Sequence, residues 1–161
     1  MWDSELADLA ALNVKQCKMM HDKCRATSEF PIAGQNLAYR ATSGAFEPTN
    51  NVITKFVQFW YDEVKDAAQS DIDKCCTAAS GKTIGHFTQV VTDRAIAVGC
   101  AIATYTDKQW KTSLMACTYA ITNTVGTRVY VSGKAASECS SGTNPDFPAL
   151  CSTEEQIKAT A

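Results

Sequence analysis

Four side chains of this sequence carry the means for chemistry. They are His21, just before Cys24; His86, opening the stretch GHFTQVVTDRAIAVGC at residues 85–100; Glu63; and Gln35. Imidazole and carboxylate together are ligands for a divalent cation such as Zn²⁺, and equally a general acid–base pair. Spacing alone does not bring them together. The plainer reading is a hydrogen-bonded pair of rings holding a helix layer to a sheet, with Glu63 orienting one of them. No Ser, Cys or Lys stands in a nucleophile motif, and each cysteine has a disulfide role open to it. The residues therefore do not read as an active site; cation ligands at His21 and His86 are the sharper alternative to the scaffold pair, and Gln35, bringing no charge, argues for weak binding at most.

Several elements must position these groups. Asp3 or Ser4 caps an expected helix whose apolar face holds Leu6, Leu9, Ala10 and Cys17. The strongest helix covers 49–67, TNNVITKFVQFWYDEVKDA, capped by Thr49 or Asn50 after Pro48. Val52, Phe56, Phe59, Trp60, Glu63 and Ala67 recur along it at three- and four-residue steps. That spacing places Glu63 on or beside the buried face, where a carboxylate needs a partner. Phe56, Phe59 and Trp60 form a stripe that is core or, alternatively, one wall of an apolar ligand crevice. Residues 69–83, QSDIDKCCTAASGKT, read as a polar loop. A hairpin follows, AVGCAIATY (97–105) and WKTSLMACTY (110–119), and a third short strand is expected at TRVYV (127–131). Helices followed by strands, without a βαβ alternation, indicate an α+β or layered α-β-α domain.

Composition narrows the class. The chain has 161 residues, 45% of them hydrophobic, and a net charge of -2 from 15 basic and 17 acidic side chains. Nothing in that balance points to nucleic acid or an anionic membrane surface. No apolar run approaches the roughly 20 residues needed to span a bilayer. The 8 cysteines lack CxxC spacing, so they indicate an oxidised, extracellular protein rather than a zinc module. A hairpin pivot between Lys108 and Gln109 sets Cys100 opposite Cys117, a reasonable cross-strand disulfide. Cys139 and Cys151 would close the loop SSGTNPDFPAL. A bridge between the adjacent Cys75 and Cys76 is not expected, because it strains the peptide between them. The opening MWDSELADLA reads as already helical, with no leader pattern. Arg25 and Arg40 are candidates to meet a ligand carboxylate, although a solvated surface charge is the simpler reading.

Taken in order, WDSELADLAALNVKQC, HDKCR, GQNLAY, FWYDEVKD, GHFTQVV and VGCA resemble the CAP superfamily of cysteine-rich secretory, antigen-five and pathogenesis-related proteins. HDKCR and GQN are similar to the insect antigen-five forms, and salivary members of the horsefly tablysin type look nearest. The resemblance runs over about residues 1–119. It implies a disulfide-rich three-layer α-β-α sandwich, with a CAP domain at 1–135 and a disulfide-closed tail at 136–161. It also implies a cavity lined by two histidines and two acidic residues, which fall on His21, Gln35, Glu63 and His86. Gln35 then replaces a carboxylate and removes one charge. Thr92 stands where the family usually has Trp, and the Asn and Pro-Gly usual around Cys117 are missing. The family pattern starts with a helix and loop upstream of WDSELA, so about a quarter of a domain is expected to precede this segment, including partners for Cys17 and Cys24.

The functional expectation is a secreted, non-enzymatic salivary or venom protein that interferes with host haemostasis or inflammation. Its expected partner is a small hydrophobic ligand, a fatty acid, sterol or eicosanoid such as a leukotriene, bound along Phe56, Phe59 and Trp60. No cofactor is expected beyond a possible divalent cation. Two alternatives are a metal-dependent hydrolase using His21, Glu63 and His86, and an integrin or platelet inhibitor. The sequence contains no Arg-Gly-Asp tripeptide, so integrin binding of that kind would require a segment outside this chain.

Overall fold

Strand alternation explains the architecture of the computed structural model, which describes residues 1–76 and 81–156. Residues 77–80 of the expected polar loop and 157–161 of the expected tail lie outside those described. Strand β3 (Trp110–Tyr119) is central, flanked antiparallel by β1 (Gly34–Thr42) and β2 (Val98–Asp107). Because neighbouring side chains on a strand point to opposite faces, the register sorts the apolar residues into two sets. Leu37, Leu114, Ala116, Ala101 and Ala103 face one way and pack on Ala10 and Val14 of helix α1 (Ser4–Val14). Ala38, Met115, Cys117, Tyr119, Cys100 and Ile102 face the other way and pack on Val52, Phe56 and Trp60 of helix α2 (Thr49–Tyr61). The result is the three-layer α-β-α sandwich. Cys100 and Cys117 are directly paired across the hairpin, and their sulfurs are bonded.

Helix α1 starts where the Asp3 side chain accepts a hydrogen bond from the Leu6 amide, at 2.8 Å. Leu6, Ala10, Asn13 and Val14 form its buried stripe. The helix comes so close to β2 at Gly99 that a Cβ there would sit 2.1 Å from the Ala7 nitrogen. Two details differ from the sequence expectation. Cys17 lies beyond the helix end, exposed, in the left-handed region with φ 53, and Leu9 is only half-buried.

The expected 49–67 helix divides. After Tyr61 the coil tightens into a 3₁₀ segment, Asp62–Asp66, which ends where Ala67 turns extended. Pro48, with no side-chain bond, holds the cap position expected of Thr49 or Asn50. The polar loop contains a short helix, α3 (Gln69–Asp73), in which Asp71 Oδ2 accepts from the Ala68 amide at 3.0 Å. Helix α4 (Gly85–Val91) follows.

Residues 127–131 form no strand. Their backbone groups are used in loop-to-loop bonds: Thr127 O accepts from Cys75 N, Val129 N donates to Ile72 O, and Val129 O accepts from Asp93 N. The segment thus pins α3 to the α4–β2 connection, burying Val129 against Ile72, Cys75 and Phe87. Cys75 and Cys76 are bonded to one another, contrary to expectation. Cys76 takes a left-handed conformation, φ 64, while Cys75 is held by bonds to Thr127 and Gly126. Cys17 and Cys24 are exposed with free thiols. Cys139 and Cys151 are bonded, and Glu155, just beyond that loop, accepts from Ser140 and Ser141 within it.

Candidate functional site

His86 opens α4, and the 3₁₀ segment after α2 delivers Glu63 to it. Glu63 Oε1 meets His86 Nδ1 at 2.7 Å, and Oε2 accepts from the amides of His86 and Phe87 at 2.9 and 3.0 Å. One carboxylate therefore orients the ring and anchors the first turn of the helix that carries it. This answers the cost of its partial burial. Below the ring, the Trp60 indole lies nearly parallel to it, with centroids 6.4 Å apart and planes inclined by 11°. Trp60 Nε1 donates to Leu37 O at 3.0 Å, tying α2 to β1.

His21 reaches the same place from the loop after α1. Its Nδ1 meets Gln35 Oε1 on β1 at 3.0 Å. Gln35 Nε2 in turn donates to Asp22 Oδ2 at 2.9 Å. Gly34, beside Gln35, leaves room for the Gln89 side chain of α4; a Cβ there would sit 2.2 Å from Gln89 Oε1. Gln89 Nε2 donates to Ile121 O at 2.8 Å and so fastens α4 against the end of the sheet.

Between the two rings lies a cleft of about 270 Å³, lined by His21, Gln35, Asn36, Thr83, Gly85, His86 and Asn123. Its lining is imidazole, amide, hydroxyl and backbone, with no large apolar side chain. Asn36 Nδ2 donates to His86 O at 3.0 Å and lies 3.5 Å from the Tyr119 hydroxyl. Burial pushes that hydroxyl well above its ordinary pKa of 10.0, an effect the Asn36 bond partly opposes. Asn123 Nδ2 donates to Gly85 O and Thr88 Oγ1 at 2.8 and 2.7 Å. Sequence reasoning had missed Asp22, Asn36, Thr83 and Asn123. A signal existed for two of them, since Asp22 and Asn36 directly follow His21 and Gln35 in HDKCR and GQN.

The structure brings His21, Gln35, Glu63 and His86 around one cleft, but in unequal roles. With Nδ1 of each ring engaged, Nε2 is the nitrogen left for a ligand, and neither has a partner among the described residues. Two imidazole nitrogens could supply two corners of a tetrahedral cation site, with Glu63 and Gln35 behind the rings as orienting groups. Among the described residues, no group of three His, Cys, Asp or Glu side chains is arranged to hold a metal. The donor set fits a cation that accepts imidazole and completes its shell with water or an incoming ligand.

The aromatic stripe is divided by the helix. Phe56 and Trp60 are in the core, while Phe59, at the flank of the buried stripe, is 66% exposed. A different side of the helix shows Ile53, Val57 and Tyr61, four residues apart, and Val64 lies beyond them, all exposed. Neither arginine meets the cleft. Arg25 donates to the backbone carbonyls of Asp22 and Ala33, and Arg40 pairs with Glu47 at 2.8 Å. Lys55 and Arg40 together hold the Glu47 carboxyl below its usual range.

Comparison with known proteins agrees with this architecture. The model of the cysteine-rich secretory protein family (CAP) matches residues 1–119. Venom allergen-1 of Aedes aegypti is 40% identical over 159 residues, covering 99% of this chain and 62% of that protein. The antigen 5 like allergen Cul n 1 of Culicoides nubeculosus is 48% identical over 109 residues, 68% of this chain and 49% of that protein. Tabinhibitin 4 of Tabanus yao is 27% identical over 159 residues, 98% of this chain and 63% of that protein. The chain therefore spans half to three-fifths of the length of these relatives. Among solved structures, that of NaASP2 with Zn²⁺ superposes with a TM-score of 0.76 at 22% identity, covering 94% of this chain and 75% of that one. At that identity the likeness shows the fold.

Proposed function

Because this chain belongs to the cysteine-rich secretory protein family, we propose that it comes from a secreted, non-enzymatic venom or salivary protein of the antigen 5 type that acts by binding. Within that function the cleft takes a divalent cation on His21 and His86. One observation carries this reading: both rings are held by Nδ1, which leaves two Nε2 lone pairs for one cleft. Imidazole favours a borderline cation such as Zn²⁺ over Ca²⁺ or Mg²⁺, which take oxygen ligands. The Zn²⁺ in the NaASP2 structure belongs to that protein and supports the choice of cation here.

A hydrolase using His21, Glu63 and His86 is the less supported reading. Glu63 already accepts three hydrogen bonds, and among the described residues that line the cleft there is no carboxylate to activate water. The names of the Tabanus relatives, Tabinhibitins, support an inhibitory role, and interference with host haemostasis or inflammation follows as the reading for this chain. An integrin as partner would again need residues outside the sequence. A small hydrophobic ligand, fatty acid, eicosanoid or sterol, is a second reading. It is favoured by the exposed row Ile53, Val57 and Tyr61 on α2 rather than by the buried Phe56 and Trp60.

Native mass spectrometry of the full chain, metal-free and with added Zn²⁺, tests both readings. One Zn²⁺ per chain is expected, lost in His86→Ala and in His21→Ala while circular dichroism stays unchanged. Equal uptake by parent and variants would remove the cation from the cleft. Co-purified fatty acid displaced by Val57→Asp would support the second reading, and its persistence in that variant would refute it.

A further inference from the structure

We propose that Asp22 is the positioning residue for the His21 half of the cleft, acting through the Gln35 amide to decide which ring nitrogen of His21 carries hydrogen. The inference deepens the cation reading above and rests on it.

One group in the chain of contacts, the Asp22 carboxylate, acts as acceptor throughout. A carboxylate at neutral pH has no hydrogen to give. Asp22 Oδ2 accepts twice, from Gln35 Nε2 at 2.9 Å and from Asn13 Nδ2 at 2.5 Å. The nitrogen end of the Gln35 amide is thereby committed to Asp22, and its oxygen end must face His21. An amide oxygen also only accepts, so His21 must donate from Nδ1, at 3.0 Å. A neutral imidazole with hydrogen on Nδ1 has its lone pair on Nε2, the form a cation requires. If the Gln35 amide turned over, it would offer N–H to His21. The ring would then accept at Nδ1 and carry its hydrogen on Nε2, closing the site to a cation.

The anchor for this relay is built into the framework. Asn13 is buried on α1 and also donates to Met20 O at 3.0 Å, which holds the loop carrying His21. Among the described residues Asp22 Oδ1 is buried without a hydrogen-bond partner, and the carboxylate's side-chain bonds there are made by Oδ2. His86 needs no such relay, because Glu63 faces it directly. The amide at Gln35 thus passes on the direction of a hydrogen bond whose carboxylate stands one residue further back.

The test reads the tautomer itself, in ¹⁵N-labelled, metal-free full chain, by long-range proton–nitrogen correlation of the two histidine rings. Parent protein is expected to show His21 and His86 both with hydrogen on Nδ1. Asp22→Asn can both donate and accept, so His21 should become a mixture while His86 stays as it was. Zn²⁺ affinity should fall by about 10- to 100-fold. Adding Gln35→Glu to Asp22→Asn should restore the single tautomer and the affinity, since a carboxylate facing His21 only accepts. An unchanged His21 tautomer in Asp22→Asn overturns the proposal, and so does failed rescue. Should Asp22→Asn fold poorly, Gln35→Leu leaves Asp22 on Asn13 and must still release the His21 tautomer; a ring that remains pure overturns it equally. A tautomer that responds as stated in a protein taking up no Zn²⁺ upholds the relay and defeats the cation reading alone.

Discussion

The two sides of the cleft solve one problem by different means. His86 sits in the first turn of a helix, over a buried indole, with a carboxylate that bonds both its ring and its backbone. His21 sits on an exposed loop and is held at the ring alone, by an amide that depends on another group. The first mount couples the site to the stability of the core. The second leaves it adjustable at small cost to the fold. A pair of matched imidazoles can therefore rest on unequal foundations, and the two halves should respond differently to damage.

Glu63→Ala should do the most harm. It leaves the His86 ring and two helix-start amides without their acceptor, so a loss of about 2–3 kcal/mol in urea denaturation is expected, together with Zn²⁺ uptake. A loss below about 1 kcal/mol would show that the His86 mount is no more structural than its counterpart. Gln35→Ala is the matching cut on the other side. It should cost the fold less than Glu63→Ala does, about 1 kcal/mol, yet lower Zn²⁺ affinity by about tenfold. Equal destabilisation by the two variants would erase the contrast between the mounts.

The smallest effect sharpens what lies behind Asn36. Tyr119 keeps its proton in the fold above the pH at which an unfolded chain would release it, because burial disfavours the phenolate. With the folded pKa raised, this contribution is complete below about pH 10 and is lost as the pH rises further. Tyr119→Phe should therefore match the parent near pH 7 to within about 1 kcal/mol. It should then lose less stability than the parent between about pH 10 and 11. Parallel pH profiles for parent and variant would place the phenol in a wetter setting than the structure does.

Much of the framework was legible in the residues, because periodicity reports directly on faces. The buried stripe Val52, Phe56 and Trp60 and the pairing of Cys100 with Cys117 both follow from counting. Phe59 was harder, since three-residue steps and four-residue steps drift apart around the helix, and here only the fours stay inside. TRVYV has strand-forming composition, but whether such residues pair in a sheet depends on a free edge nearby. Here the loops of Ile72, Cys75 and Asp93 claimed its backbone instead. Glu63 was legible as a carboxylate on the buried face that orients a ring, whereas the role of Asp22 was not, because one-dimensional order does not say which group stands one residue behind. Cys75–Cys76 turned on a single left-handed residue that no pattern announces.

Gly99 has a consequence that reaches as far as the cleft. Where α1 meets β2, backbone lies against backbone, with no side chain in between whose size could vary. Most helices rest on compressible upholstery, and swapping one aliphatic group for another shifts them by fractions of an ångström. This one is seated on a hard stop. The loop bearing His21 hangs from the far end of that helix and is tied to it through Asn13. The location of the more loosely held ring is thus referred, like a dimension on an engineering drawing, to a datum surface with no adjustable shim. Drift in the surrounding side chains can alter the chemistry of the cleft while its span stays constant.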